Sequence, residues 1–431
     1  MSEQLPPAAR LTVRSAMFLG VGSMIGAGIF ALLGEAGTVA GAAVWVSFLI
    51  GGVVALLLGY VCAKLGSRYP SAGGLITYLE EGFGRGWVVG VSAWLGYIAA
   101  IVIVTAMIAV SFGGYATSLF VGSDASPWWN HFFITLVVVG TYLLNKIGTR
   151  VVAITQSAIV IGVLSSFGIF IWVTISNIDL HLLAVDSYPS LAKIIASVAL
   201  TFFAYLGFNV ITFAAGDLKN PKRELPRALY GALGITTAVY VLIAIGVFGT
   251  LTVTEVVAYG ETAIAEAVRP TLGDTGYTVM AVVALLSTTG ATNATMYASS
   301  NLTGMLAAEG YFPVRFAKSG LLLTAAAVLA VANLVDLSSI ASVGSAVSLV
   351  LFLMIGVAGY RRRADTGSNA VVVVLAILVT AVVLGFFAVD TWRTAPETFV
   401  AILAIVLAAV VLDRLTRRGG SAAGRASLGP A

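Results

Sequence analysis

The sequence predicts an all-α polytopic membrane protein of twelve transmembrane helices, and three observations carry that prediction. Hydrophobic residues make up 59% of the 431-residue chain and charged residues only 10%, against about 25% charged in an average soluble domain. Apolar stretches long enough to cross a hydrocarbon core of about 30 Å recur along the whole length. With twelve spans and a cytoplasmic N-terminus, of the 23 Lys and Arg residues only Lys193, Arg269 and Arg393 fall on the outer side. That asymmetry is the positive-inside pattern. A missed or added span would scramble it.

Taken in order, the spans are expected at 14–33, 41–64, 87–119, 131–146, 151–175, 192–215, 228–250, 276–299, 319–335, 340–360, 370–389 and 397–412. The polar residues 1–13 form a cytoplasmic tail, and the first span reads as retained because no small-residue cleavage site follows it. The third span is longer than a bilayer needs and should tilt or protrude. Between spans the segments are short, leaving no room for a folded extramembrane domain. The largest outer segment, 251–275, carries Glu255, Glu261, Glu266 and Asp274 and contains a helix-like stretch. The basic, Gly/Ala/Ser-rich residues 413–431 read as a disordered cytoplasmic tail. Cys62 is the only cysteine, so there is no intrachain disulfide and no Cys-based metal cluster.

The run GVGSMIGAGIF, Gly20 to Phe30, interrupts the first span with four glycines. Each costs a helix interior about 1 kcal/mol relative to alanine, so a regular helix is disfavoured there. Non-helical backbone inside a membrane survives only where protein buries it or where it lines a cavity. Two readings follow: bared amides and carbonyls that hold a charged solute, or small residues that let helices pack closely. The run alone does not separate them.

Two further motifs lie in order behind it. YPSAGG, Tyr69 to Gly74, followed by Tyr78, Phe83 and Gly84, fills the loop between spans two and three. FFAYLGFN, Phe202 to Asn209, lies in span six and leads into DLKNPKRELPRAL, Asp217 to Leu229. With the run from Thr292 to Pro313, these motifs resemble the amino acid–polyamine–organocation (APC) superfamily, specifically its bacterial amino-acid permeases. The resemblance covers spans one to ten. It implies two inverted repeats of five helices, 14–175 and 192–360, with spans one and six broken, and two peripheral helices within 370–412. It also implies a secondary transporter of the inner (cytoplasmic) membrane, working by alternating access, with both termini cytoplasmic.

The chemistry of the residues suits that implication. An amino acid is a zwitterion, and each charge needs a partner once dehydrated. Where span one breaks at Gly26, Ala27 and Gly28, the half-helix that starts there points free N–H groups at a carboxylate. The half-helix ending near Ser23 and Met24 offers carbonyls to the ammonium group, as span six does around Phe203, Ala204 and Leu206. By resemblance those positions bind the α-amino group, Gly207 permits the second break, and Phe203 is an aromatic lid. Of Phe202, Phe203, Tyr205 and Phe208, at least two should be packing residues, since one helix cannot turn all four to one pocket. Thr105, Met107, Ser111 and Asn293 are further candidates for tuning the pocket.

No ionisable residue lies midway along any span, which favours neutral amino acids over cationic amino acids, glutamate or polyamines. Some proton-coupled relatives carry a lysine midway along span five; Val163 stands near that place here. A sodium site built from the carbonyls of Gly22 and Ile25 with the hydroxyls of Thr288 and Thr289 is one coupling candidate, although such hydroxyls often bond back to their own helix. Protonation of an edge acid, Glu35, Asp217 or Asp336, is the other. The family's usual glutamate is replaced by Gly216, and the nearest acid is Asp217, so a cytoplasmic gate there departs from the family pattern. An exchanger and a cationic or polyamine carrier are alternatives within the same class, and a receptor or channel is the rival class. An enzyme is disfavoured, because no paired acids, nucleophile–base pair or metal ligands lie in the spans. No cofactor, metal or nucleic-acid partner is expected; the partners are an amino acid, the coupling ion (H⁺ or Na⁺) and the lipid bilayer. The oligomeric state is not fixed by the sequence.

Overall fold

A computed structural model describes residues 11–71, 73–122, 125–147 and 150–426, without the side chains of Ala27, residues 147–158 and residues 418–426. The expected tails at 1–13 and 413–431 therefore fall partly outside the described residues. Span one is two helices, α1 (Val13–Ala27) and α2 (Ile29–Ala40), separated at Gly28. Span two is α3 (Val44–Arg68), and the YPSAGG loop turns into the short α4 (Leu75–Phe83). Span three runs as α5 (Trp87–Tyr97), a π-helical segment at Ile98–Ile103, and α6 (Val104–Phe120). Its length matches the expectation of an overlong helix, and π-turns of this kind are frequent beside functional sites.

Spans four and five are α7 (Pro127–Ile147) and α8 (Arg150–Ser176). Span six is α9 (Leu191–Ala204), a 3₁₀ turn at Leu206–Phe208, and α10 (Asn209–Phe213). Span seven, α11 (Pro221–Phe248), starts at Pro221, where the missing N–H costs nothing. The segment 251–275 folds as α12 (Val253–Tyr259), held by a capping box between Thr252 and Glu255, and α13 (Ala263–Glu266). Ala263, Ile264 and Ala265 are buried, so this segment is packed into the helix bundle. Then follow α14 (Arg269–Ala308), α15 (Arg315–Leu334), α16 (Leu337–Arg361), the short α17 (Arg363–Thr366), α18 (Ala370–Thr394) and α19 (Pro396–Ala426).

Among the described residues, ten helical stretches are long and apolar enough to cross a membrane. The shorter α1 and the helix α7 complete the twelve-span pattern. Helices five spans apart lie against each other: α1 and α2 on span six, α3 on α11, α6 on α14, α7 on α15. This pairing is what an inverted repeat produces. The outer helices α18 and α19 leave Leu378, Val382, Leu403 and Leu407 exposed, a surface that suits lipid. At the N-terminal face, the amide of Leu11 donates to the carbonyl of Asp217 at 3.0 Å, joining the start of span one to the end of span six.

Candidate functional site

The two interrupted spans meet at their breaks. In span one the Gly28 amide closes the first half-helix on the Met24 carbonyl at 2.8 Å, and the ladder resumes with Leu32 N–H on the Gly28 carbonyl at 2.9 Å. The first-turn amides of α2, from Ile29 on, are those that any helix start leaves without an intrahelical acceptor. Span six tightens into its 3₁₀ turn immediately after Ala204. The backbones then approach so closely that only glycine fits. A Cβ on Gly207 would lie 2.6 Å from the Ser23 carbonyl carbon, and one on Gly28 would lie 2.6 Å from the Ala204 carbonyl oxygen. Gly26 faces elsewhere, against Ala291 and the Ser287 carbonyl of α14. The glycines open a break in span one, and they also seat helices against one another.

A residue without a local signal completes the junction. Tyr240 of α11, fully buried, donates its hydroxyl to the Met24 carbonyl at 2.6 Å and lies 3.2 Å from the Ala204 carbonyl. Its ring is fixed against Phe48 and Tyr205, with centroids 5.3 and 5.1 Å away. The Met24 carbonyl thus accepts from both Gly28 and Tyr240 and is engaged within the protein.

Beside this junction lies a cavity of about 40 Å³, bounded by α1, the π-segment of span three, span six and α14, with α4 at its end toward the N-terminal face. Of the residues expected at the substrate site, Ser23, Phe203, Leu206 and Gly207 line it. Met24, Gly28 and Ala204 stand behind them at the junction, Gly26 faces α14, and the Ala27 side chain lies outside the described residues. Phe203 is the one aromatic of its quartet to line the cavity. Phe202 and Phe208 pack on Phe352, with centroids 5.6 and 5.3 Å away, and the Tyr205 hydroxyl donates to the Phe48 carbonyl at 2.9 Å. The 100° step between helical neighbours accounts for this split.

The cavity's other polar groups are Asn209 and Thr295. Neither was singled out by sequence reasoning, although Asn209 ends the FFAYLGFN motif. Thr105, Met107, Ser111 and Asn293 do not line the cavity. Thr105 bonds back to Ile101 at 2.6 Å and to Thr295 at 2.9 Å, and Asn293 accepts from Asn145 at 2.7 Å. Among the described residues no Asp, Glu, Lys, Arg or His lines the cavity.

A second, smaller cavity of about 10 Å³ lies between Gly22 and Ile25 of α1, Ile159, Val160 and Val163 of α8, and Ser287 of α14. Such a volume holds one water or ion at most. Its hydroxyl comes from Ser287 instead of the expected Thr288 and Thr289. Thr288 bonds back to Ala284 at 2.7 Å, and Thr289 does not line the space. Among the described residues no three His, Cys, Asp or Glu side chains gather as a metal would require.

The acids lie toward the ends of the spans. Glu35 lines a cavity of about 300 Å³ with Lys193 and Asp390. Asp336 caps α16 by accepting from the Ser339 amide at 2.8 Å. Glu266 is bound to Arg269 at 2.7 Å, yet burial holds its carboxyl above the ordinary range. Glu261 is pushed up by burial, and the nearby Glu35 carboxylate adds to the effect. Its carboxylate lies against α6 at Gly114, where a Cβ would collide with it.

A family model described as "Amino acid permease" matches residues 11–412. The chain is 30% identical over 409 residues to the inner membrane transport protein YbaT of Escherichia coli (strain K12), covering 93% of this chain and 94% of that protein. It is 30% identical over 424 residues to a protein of Methanocaldococcus jannaschii, MJ0609, with 95% of each chain covered. The serine/threonine exchanger SteT of Bacillus subtilis (strain 168) is 30% identical over 282 residues, covering 64% of this chain and 63% of its own.

Proposed function

Because this chain belongs to the amino acid permease family of the APC superfamily, and is therefore a multi-pass membrane transporter and not an enzyme, we propose that it carries neutral amino acids across the cytoplasmic membrane by alternating access. The observation that carries the neutral assignment is the lining of the central cavity, which among the described residues contains no charged side chain. A charged substrate side chain would enter without a counterion, at a cost of several kcal/mol. The backbone breaks serve the two charges common to every amino acid. The carboxylate meets the amides at the start of α2, and the ammonium group meets main-chain oxygens near Ser23, Phe203 and Leu206. Phe203 closes over the bound molecule. The N-terminus and the basic loops face the cytoplasm.

We assign coupling to protons taken up by an edge acid. The back-bonded Thr288 supports that reading over a sodium site. The test is uptake into proteoliposomes with the purified full chain. Saturable uptake of alanine, serine or a branched aliphatic amino acid, with counterflow, is expected, and arginine, lysine, glutamate and spermidine should fail to compete. Competition by arginine or spermidine would overturn the neutral assignment. Uptake that collapses when sodium is replaced by choline, and not with a protonophore, would overturn proton coupling.

A further inference from the structure

We propose that Asn209 determines substrate specificity: its carboxamide reads a hydroxyl or carboxamide on the substrate's side chain, at the neck between the central cavity and a side pocket. This rests on the carrier reading above and deepens it. Asn209 is 6% exposed, and among the described residues its side chain makes no hydrogen bond. A buried carboxamide has two donors and an acceptor to satisfy, and leaving them unmet is costly. Its backbone is anchored as the first residue of α10, with the carbonyl accepting from the Thr212 hydroxyl at 2.6 Å. The side chain alone is left over. The other asparagine of the core, Asn293, is partnered by Asn145 at 2.7 Å, and Thr295 is bound to its own helix at 3.0 Å. Other buried polar side chains, Ser111 and Thr236 among them, also lack a partner, but none of them lines the central cavity as Asn209 does.

Asn209 lines both the central cavity and a second pocket of about 20 Å³ between α4, α10 and α16. The far wall of that pocket carries Ser348, 2% exposed and also without a hydrogen-bond partner among the described residues. The rest of the wall is apolar: Leu79, Leu206, Leu351 and Phe352 among others. With the α-carbon groups of the substrate held at the junction of spans one and six, the side chain points past Asn209 toward Ser348. A side chain bearing a hydroxyl or carboxamide fills the pocket and completes both groups. An aliphatic one of the same shape leaves them unpaired, which is how a hydrogen-bonding site discriminates against the analogue that lacks the polar atom.

Threonine and valine are the isosteric pair that tests this. In proteoliposomes containing the full-length protein, the KM for L-threonine should be lower than that for L-valine by about tenfold or more. Asn209→Leu should erase or invert that ratio, and Asn209→Ser should retain part of it. Ser348→Ala should reduce the ratio by a smaller factor. If Asn209→Leu proves polydisperse in detergent, Asn209→Ser and Ser348→Ala carry the test, and an unaltered ratio in both overturns the assignment. Wild-type protein that treats threonine and valine alike overturns the assignment of Asn209 and leaves the carrier reading standing. No saturable uptake of any amino acid overturns the carrier reading itself, and this assignment with it.

Discussion

The hydroxyl of Tyr240 lies 2.6 Å from the main-chain carbonyl of Met24, two residues separated by 216 positions in the chain. One side chain of span seven thereby closes the end of the first half-helix. Its 3.2 Å approach to Ala204 brings span six into the same arrangement.

Tyr240→Phe removes that hydroxyl and leaves the ring packing intact. The variant should lose about 1–2 kcal/mol of stability, the usual worth of a buried hydrogen bond whose acceptor is left partly unmet. The expected readouts are a lower apparent Tm in detergent and a smaller ligand-induced rise in Tm. An unchanged Tm together with unchanged KM would mean that the contact is incidental.

Gly28→Val should abolish uptake in protein that still reaches the membrane. The added branches would meet the Ala204 carbonyl and the Tyr240 hydroxyl, which leave no room even for a Cβ. Spans one and six would be forced apart at the junction. Normal uptake by a well-expressed Gly28→Val variant would refute the close approach.

The two adjacent phenylalanines should separate by phenotype. Phe203→Ala opens the cavity wall and should raise KM several-fold. Phe202→Ala hollows the contact with Phe352 and should cost about 3–5 kcal/mol of stability with a smaller change in KM. Equal kinetic effects, or the reverse order, would remove the lid role from Phe203.

Glu261 should give the protein a pH-dependent stability. Its folded-state pKa is raised above the ordinary value of 4.5 by burial and by Glu35. The folded protein therefore holds this proton more tightly than the unfolded chain does. The associated stability is complete below the ordinary value and is lost as pH rises through the raised one. Apparent Tm measured from acid toward neutrality should fall less steeply in Glu261→Gln than in the wild type. Parallel curves for the two proteins would place the titration elsewhere.

Much of the fold was legible because its causes are local. Hydropathy sets the spans, lysine and arginine set their alternation, and the glycines of Gly20–Gly28 and Gly207 mark where a helix fails. Phe203 came within reach only through the family resemblance, which sets it apart from Phe202. The residues that escaped depend on helix rotation or on distant partners. Whether Ser287 or Thr288 faces Gly22 turns on one 100° step of α14. Tyr240 looks like any tyrosine in an apolar helix until span seven is laid across the break in span one. Asn209 was visible in its motif, but its isolation is a property of what surrounds it, and no neighbour in the chain reports that.

The amide of Leu11 bonded to the Asp217 carbonyl has a mechanical consequence. The first half of span one and the last part of span six are tied at the N-terminal face by that bond, and again at the junction by Tyr240 and the close approach of Gly207. Two rods pinned at both ends can tilt together as a frame, but neither can swing alone without breaking a pin. Opening toward the N-terminal face by joint tilting keeps both ties, whereas peeling α1 away by itself sacrifices them. A bulky fusion placed directly before Leu11 would load one pin of that frame, and its drag would reach the central cavity through a helix it never touches.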